Sequence, residues 1–286
     1  MWVLIASGTG WHRDIHPIDM APLDGLQEDI RVNGPSYLQW HIALYDDNFL
    51  HVIPGSHQRR NNAEESKIER RMGVVSLPGA KQVDLKAGDG VVYINCFLHS
   101  AASNCETKRR TFHGGYYAHG NKGFVHTMPD PIDVDFIDNI STKSAAQYKE
   151  FARLHAGRVD EIVAAFKAMT NKNEQAFRDI FDRLHPSPDA RMTSVIVLEK
   201  MAQTIRRYHG TNSNDWQNTD TVKEMAARFS KEELDLLWGR FGRLEQELTT
   251  KEEQYEPLFQ NAAMKYHFYE MPQHFDFEDF IASWAR

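Results

Sequence analysis

Thiols are scarce in this chain: Cys96 and Cys105 are the only two cysteines in 286 residues. Nine positions apart, they make no zinc-type pair, and so few thiols exclude a disulfide-stapled scaffold and suit a reducing compartment. Long apolar runs are missing too. The opening Trp2 to Ala6 is apolar for too few residues, and has no basic flank, to be a signal peptide or a membrane span; no later run is longer. Excess positive charge is also absent. With 33 Lys and Arg against 40 Asp and Glu, the net charge of -7 argues against general affinity for nucleic-acid phosphates. The expectation is a cytoplasmic protein with neither a nucleic-acid nor a membrane partner.

What is present falls into two materials. Residues 1–128 are rich in Gly, Pro and His and hold nine of the fourteen histidines. Their apolar segments are short: Trp2 to Ala6, Tyr37 to Tyr45, Leu50 to Ile53 before Pro54-Gly55, Val83 and Leu85 before Ala87-Gly88-Asp89, Val91 to Ile94, and Arg110 to Tyr117. Short β-rich runs punctuated by turn residues indicate an all-β sandwich or barrel. Beyond Pro129 to Pro131 the period becomes helical, and residues 140–286 are expected to form a mostly α-helical region. Helices are predicted over Ala145 to Met169, Asn171 to Leu184, Asp189 to Tyr208 and Thr219 to Phe229. A fifth should begin at Ser230, where Ser230-Lys231-Glu232-Glu233 has the capping-box pattern. The tail from Trp238 to Trp284 is too aromatic for disorder and is expected to pack on the β region or on a second copy, making a homo-oligomer through the helices.

The candidate chemistry lies in the first part. His12 and Asp14 are two apart on an extended segment, so both project to one side while Arg13 faces away. With His99, 87 residues on, they offer two imidazoles and one carboxylate. Such a set on one face of an octahedral ion leaves three positions open, as non-haem Fe(II) oxygenases require. Leu98-His99 follows a β run introduced by Ala87-Gly88-Asp89. Arg110 stands eleven residues after His99 on the next predicted strand, where its guanidinium could clamp a carboxylate. Arg109 is its competitor, since the two have opposite strand parity and parity alone does not say which faces inward; the spacing from His99 favours Arg110.

In order and rough spacing, His12-x-Asp14, Val52-Ile53-Pro54-Gly55-Ser56-His57, Ala87-Gly88-Asp89, Leu98-His99, Asn104 and Arg110 resemble the phytanoyl-CoA dioxygenase-like family over residues 1–120. The resemblance implies a double-stranded β-helix (jelly-roll) core, iron held by His12, Asp14 and His99, and 2-oxoglutarate held by Arg110. It implies a dioxygenase that couples decarboxylation of 2-oxoglutarate to succinate with oxidation of a small-molecule substrate. Because Asp14 keeps the carboxylate that halogenases of this superfamily lack, hydroxylation is the expected outcome. Three departures stand out. Where several members carry a hydroxyl two residues after the distal His, this chain has Ala101, leaving Ser100, Ser103 or Thr111 to substitute. His41 stands near the position of an aromatic that borders the co-substrate. Only eleven residues precede His12, so either a longer N-terminal segment is missing or the helical region supplies that wall. Trp11, His16 and His113 are candidates for the substrate pocket. The competing reading is a catalytically silent jelly-roll binding protein whose helices mediate assembly.

Overall fold

The computed structural model describes residues 2–5, 9–14, 22–35, 37–68, 76–94, 96–101, 107–117, 134–185, 188–211, 219–252 and 271–285. His16, Ser103, Asn104, Cys105, the boundary at Pro129 to Pro131 and the aromatics from Tyr255 to Tyr269 lie outside them. The chain divides into two compact units, Met1–Asn121 with Tyr255–Met271, and Lys122–Gln254 with Pro272–Arg286.

The first unit carries eight strands: β1 (Trp2–Ile5), β2 (Thr9–His12), β3 (Tyr37–Ala43), β4 (Asp47–Val52), β5 (Lys81–Leu85), β6 (Gly90–Ile94), β7 (His99–Ala101) and β8 (Arg110–Tyr117). Helices α1 (Leu23–Asn33) and α2 (Ala63–Ile68) interrupt them. All pairings are antiparallel, in two four-stranded sheets of order β1-β8-β3-β6 and β2-β7-β4-β5. The first strand therefore pairs with the eighth, the second with the seventh, the third with the sixth and the fourth with the fifth. That is a single long hairpin, folded so that β8 also meets β3 and β7 also meets β4.

The two faces of β3 are unlike. Gln39, His41 and Ala43 are buried, whereas Leu38 and Trp40 are half-buried and Ile42 is exposed. The apolar parity thus faces away from the interior, and the polar parity lines it. Two glycines of β8 make room for large rings on either face. A Cβ at Gly114 would come within 2.5 Å of the Trp40 ring, and one at Gly115 within 2.1 Å of Tyr37. Beneath the other sheet, Trp11, Ile53, Leu77 and Leu98 form an apolar cluster.

The second unit is helical: α3 (Thr142–Thr170), α4 (Glu174–Leu184), α5 (Arg191–Tyr208), α6 (Asp220–Ala226), α7 (Lys231–Glu252) and α8 (Phe277–Ala282). The starts follow side-chain caps. Ser141, Asn173 and Thr219 accept from Ser144, Ala176 and Val222 backbone N–H groups, which is why α4 opens at Glu174 rather than at Asn171. The expected capping box forms at α7, with Ser230 Oγ accepting from Glu233 N (3.2 Å) and Glu233 Oε2 from Ser230 N (2.8 Å). Phe177, Phe181, Phe241, Phe277, Phe280 and Trp284 pack into one aromatic core, with Phe177 4.7 Å from Phe181 and 4.9 Å from Trp284 between ring centroids. The described part of the aromatic tail thereby packs within its own unit. Among the described residues no helix is long and apolar enough to cross a membrane.

Candidate metal centre

Strand pairing brings the distant histidines together. β2 and β7 run antiparallel with His12 directly opposite His99, and their ring centroids are 4.3 Å apart. Asp14, two residues past His12, turns its carboxylate to the same side. Oδ1 lies 3.6 Å from His12 Nε2, and Oδ2 lies 3.4 Å from His99 Nε2. One ligand atom from each residue falls within 4.8 Å of the others, the only such group among the described residues.

Both imidazoles are oriented by the same device. His12 Nδ1 is 2.7 Å from the Gly10 carbonyl, and His99 Nδ1 is 2.8 Å from the Phe97 carbonyl, each two residues back. A carbonyl only accepts, so Nδ1 carries the proton in each ring and the Nε2 lone pair is left for a metal. Burial alone would raise the Asp14 carboxyl, but His99, His12 and the Gln39 amide hold it well below the usual carboxylate range. Gln39 Nε2 donates to Asp14 Oδ2 at 2.6 Å. Burial, then His99, lowers the basicity of His12, with Asp14 opposing. His99 is buried, while the side chains of His12 (34% exposed) and Asp14 (25% exposed) are partly open to solvent. Two imidazoles and one carboxylate converging on a point are a fitting donor set for a first-row divalent ion with open positions.

Arg13 follows β2, and sequence reading gave it no task beyond facing away from His12 and Asp14. Its buried guanidinium donates to the Ser56 carbonyl (2.8 Å), the Cys96 carbonyl (2.5 Å) and Asn61 Oδ1 (2.6 Å). Ser56, in the turn after Pro54-Gly55, accepts from Leu98 N at 2.8 Å. One side chain and one hydroxyl thus tie together the segments that deliver His12, Asp14 and His99.

Behind the ligands lies a polar layer. His41 is buried on β3, with Nε2 2.9 Å from the Tyr93 hydroxyl and its ring edge-on to His113 at 4.0 Å. Burial, then His113, pushes the His41 imidazole down to about 3. Among the described residues, Gln39 Oε1 and Thr111 Oγ1 are buried without a hydrogen-bond partner.

Several expected site residues fall elsewhere. Arg110 is exposed, while Arg109, Thr111 and His113 share the parity that faces inward. The inward guanidinium is therefore Arg109, 4% exposed, whose Nε donates to Asp47 Oδ2 at 2.9 Å. Arg110 and His113 differ in parity, so an extended strand could not have turned both inward. Trp11 is buried in the apolar cluster with Ile53, Leu77 and Leu98. Ser100 follows His99 in β7, projects to the other face and is buried there. His113 and His41 do belong to the interior. Gln39, Tyr93 and Asp47 were not marked by the sequence as site residues, and Arg109 entered there only as the competitor of Arg110. The signal for Arg109 was the period-two link to His113; nothing local marked the others.

No family model matches the chain, and no curated protein does. Among solved structures, AviO1 from Streptomyces viridochromogenes Tue57 is similar at 25% identity over 41% of this chain and 48% of that one, with a TM-score of 0.28. ThoJ, a non-heme monooxygenase in its apo form, is similar at 20% identity over 41% of this chain and 44% of that one, with a TM-score of 0.27. The matched stretch spans less than half of either relative. At such TM-scores the likeness carries no weight by itself; the side chains must carry the functional reading.

Proposed function

We propose that this chain is a jelly-roll oxygenase dependent on Fe(II) and 2-oxoglutarate, which oxidises, most simply by hydroxylation, a small organic substrate with release of succinate and CO2. The carrying observation is the convergence of His12 Nε2, His99 Nε2 and an Asp14 oxygen within 4.8 Å, with both Nδ1 atoms pinned by carbonyls. The nested pairing of eight strands supports the jelly roll, because that architecture is a long hairpin rolled into two sheets. When bound, iron would supply the redox chemistry that couples 2-oxoglutarate decarboxylation to substrate oxidation.

The protein's own residues have distinct tasks in this reading. His12, His99 and Asp14 hold the metal on one face. Gln39 fixes the carboxylate so that it cannot rotate out of position. Arg109, not Arg110, holds the far carboxylate of 2-oxoglutarate, with the Thr111 hydroxyl beside it on the same parity. His41 stays neutral well below physiological pH, so it adds polarity to the interior without adding charge.

The test is an anaerobic titration. Fe(II) with 2-oxoglutarate should give a metal-to-ligand charge-transfer band that His99→Ala abolishes, and aerobic succinate release should need both components. Absence of the band in the unaltered protein would sink the proposal. A second reading, the same metal face working without a dicarboxylate, is favoured by one observation: Arg109 is already paired with Asp47. Metal binding with no response to 2-oxoglutarate would select it.

A further inference from the structure

The Arg109–Asp47 pair is unusual for where it sits. Its side chains are 3% and 4% exposed, and a charge taken out of water at that depth is costly unless offset. Asp47 offsets it through one edge of the guanidinium only. Nε is bonded, and among the described residues the terminal nitrogens have no hydrogen-bond partner. A guanidinium presents its donors in a planar fork, so one edge is taken and another is left for a second planar acceptor. Asp47 is itself locked. Oδ2 accepts from Arg109, and Oδ1 accepts from Phe49 N at 2.9 Å at the start of β4. Arg109 also shares the inward parity of Thr111 and His113 and is itself buried.

We propose that Asp47 is a built-in counter-carboxylate that orients Arg109 and lowers the affinity of the interior for a dicarboxylate, allowing succinate to leave readily. This rests on the reading of the interior as a 2-oxoglutarate site. A carboxylate arriving at the open edge of Arg109 finds a cation already neutralised and a second anion nearby. It binds by hydrogen bonds and fit, with the net Coulombic attraction largely cancelled. Succinate keeps the same distal carboxylate as 2-oxoglutarate, so a full-strength anchor would retain the product; the counter-charge weakens both. Asp47 is a positioning and affinity-setting residue in this scheme and touches no reacting atom.

The experiment separates charge from geometry. Asp47→Asn keeps an oxygen acceptor for Arg109 Nε and removes the charge. In anaerobic Fe(II) titrations it should bind 2-oxoglutarate about tenfold more tightly, and succinate should inhibit turnover at correspondingly lower concentration. Pyruvate, which lacks the distal carboxylate, should bind unchanged. Asp47→Ser provides the same comparison should the Asn variant fold poorly, as judged by its melting temperature. Equal or weaker binding of 2-oxoglutarate by both folded variants would overturn the proposal, as would equal tightening for pyruvate. Failure of the underlying reading looks different. If Arg109→Gln bound 2-oxoglutarate as well as the unaltered protein, Arg109 would not be the anchor, whatever Asp47 does.

Discussion

The two units bury polar groups for different purposes. In the helical unit, the interior is Phe177, Phe181, Phe241, Phe280 and Trp284, and its purpose is cohesion. In the sheet unit, β3 turns Gln39 and His41 inward and leaves Leu38, Trp40 and Ile42 on the other face. Buried amides and imidazoles are a poor way to stabilise a fold, because each must be hydrogen-bonded to offset its desolvation. Here Gln39 braces Asp14 of the candidate metal cluster, and among the described residues Gln39 Oε1 and Thr111 Oγ1 have no hydrogen-bond partner. The helical unit also buries ionisable groups, at Glu199 and Lys200 of α5, 3.1 Å apart, where burial raises the Glu199 carboxyl against the pull of Lys200; no metal-type group of side chains occurs among its described residues. Buried polar atoms therefore occur in both units and do not mark a site by themselves; what sets the sheet unit apart is the convergence of His12, Asp14 and His99.

That contrast can be broken at its strongest point. Phe177→Ala removes a fully buried ring from the aromatic core and should cost about 3–5 kcal/mol in urea-induced unfolding, while metal affinity measured on the folded protein stays the same. A parallel loss of metal affinity would mean that the two interiors are not separate in purpose. Arg13→Met should lower stability by about 3 kcal/mol, since it removes a buried donor from the Ser56 and Cys96 carbonyls and from Asn61 Oδ1. Unlike the Phe177 change, it should also weaken metal binding, because Arg13 ties together the segments that carry the ligands. Unchanged metal affinity in the variant would show that it supports the fold alone.

A smaller effect distinguishes the helical unit by pH. Burial, then Arg158 and Arg191, pushes the His185 imidazole down from 6.5 to about 4. The unfolded chain therefore binds a proton that the folded chain refuses between those values. The contribution is complete above pH 6.5 and is lost as pH falls toward 4, by at most about 3 kcal/mol. Urea unfolding at pH 7.5 and 5 should differ accordingly, and His185→Asn should reduce the difference. An identical pH dependence in that variant would assign the loss to other groups.

Legibility followed the range of the interactions. Helix starts depend on residues three apart, so the capping box at Ser230 could be read directly, and Asn173 trimmed α4 by local hydrogen bonding. His12 and Asp14 were legible for the same reason, since an extended backbone puts alternate residues on one side. Arg110 was misjudged because spacing from His99 was weighed without the parity it shared, or failed to share, with His113. The apolar run Leu38, Trp40, Ile42 was equally ambiguous: alternation reveals that a strand has two faces but does not say which one meets the interior.

By itself, then, the sequence determined the division into β-rich and helical regions, the capped helix start at Ser230, and a His-x-Asp with a distant His. These rest on backbone periodicity and short-range hydrogen bonds, which are properties of neighbouring residues. Only the tertiary structure decided that His12 lies opposite His99, that Gln39 braces Asp14, and that Arg109 rather than Arg110 turns inward to meet Asp47. Those contacts join residues 25 to 87 positions apart through strand register. Register is set by the whole sheet at once, and a shift of one residue would turn every one of these side chains to the other face.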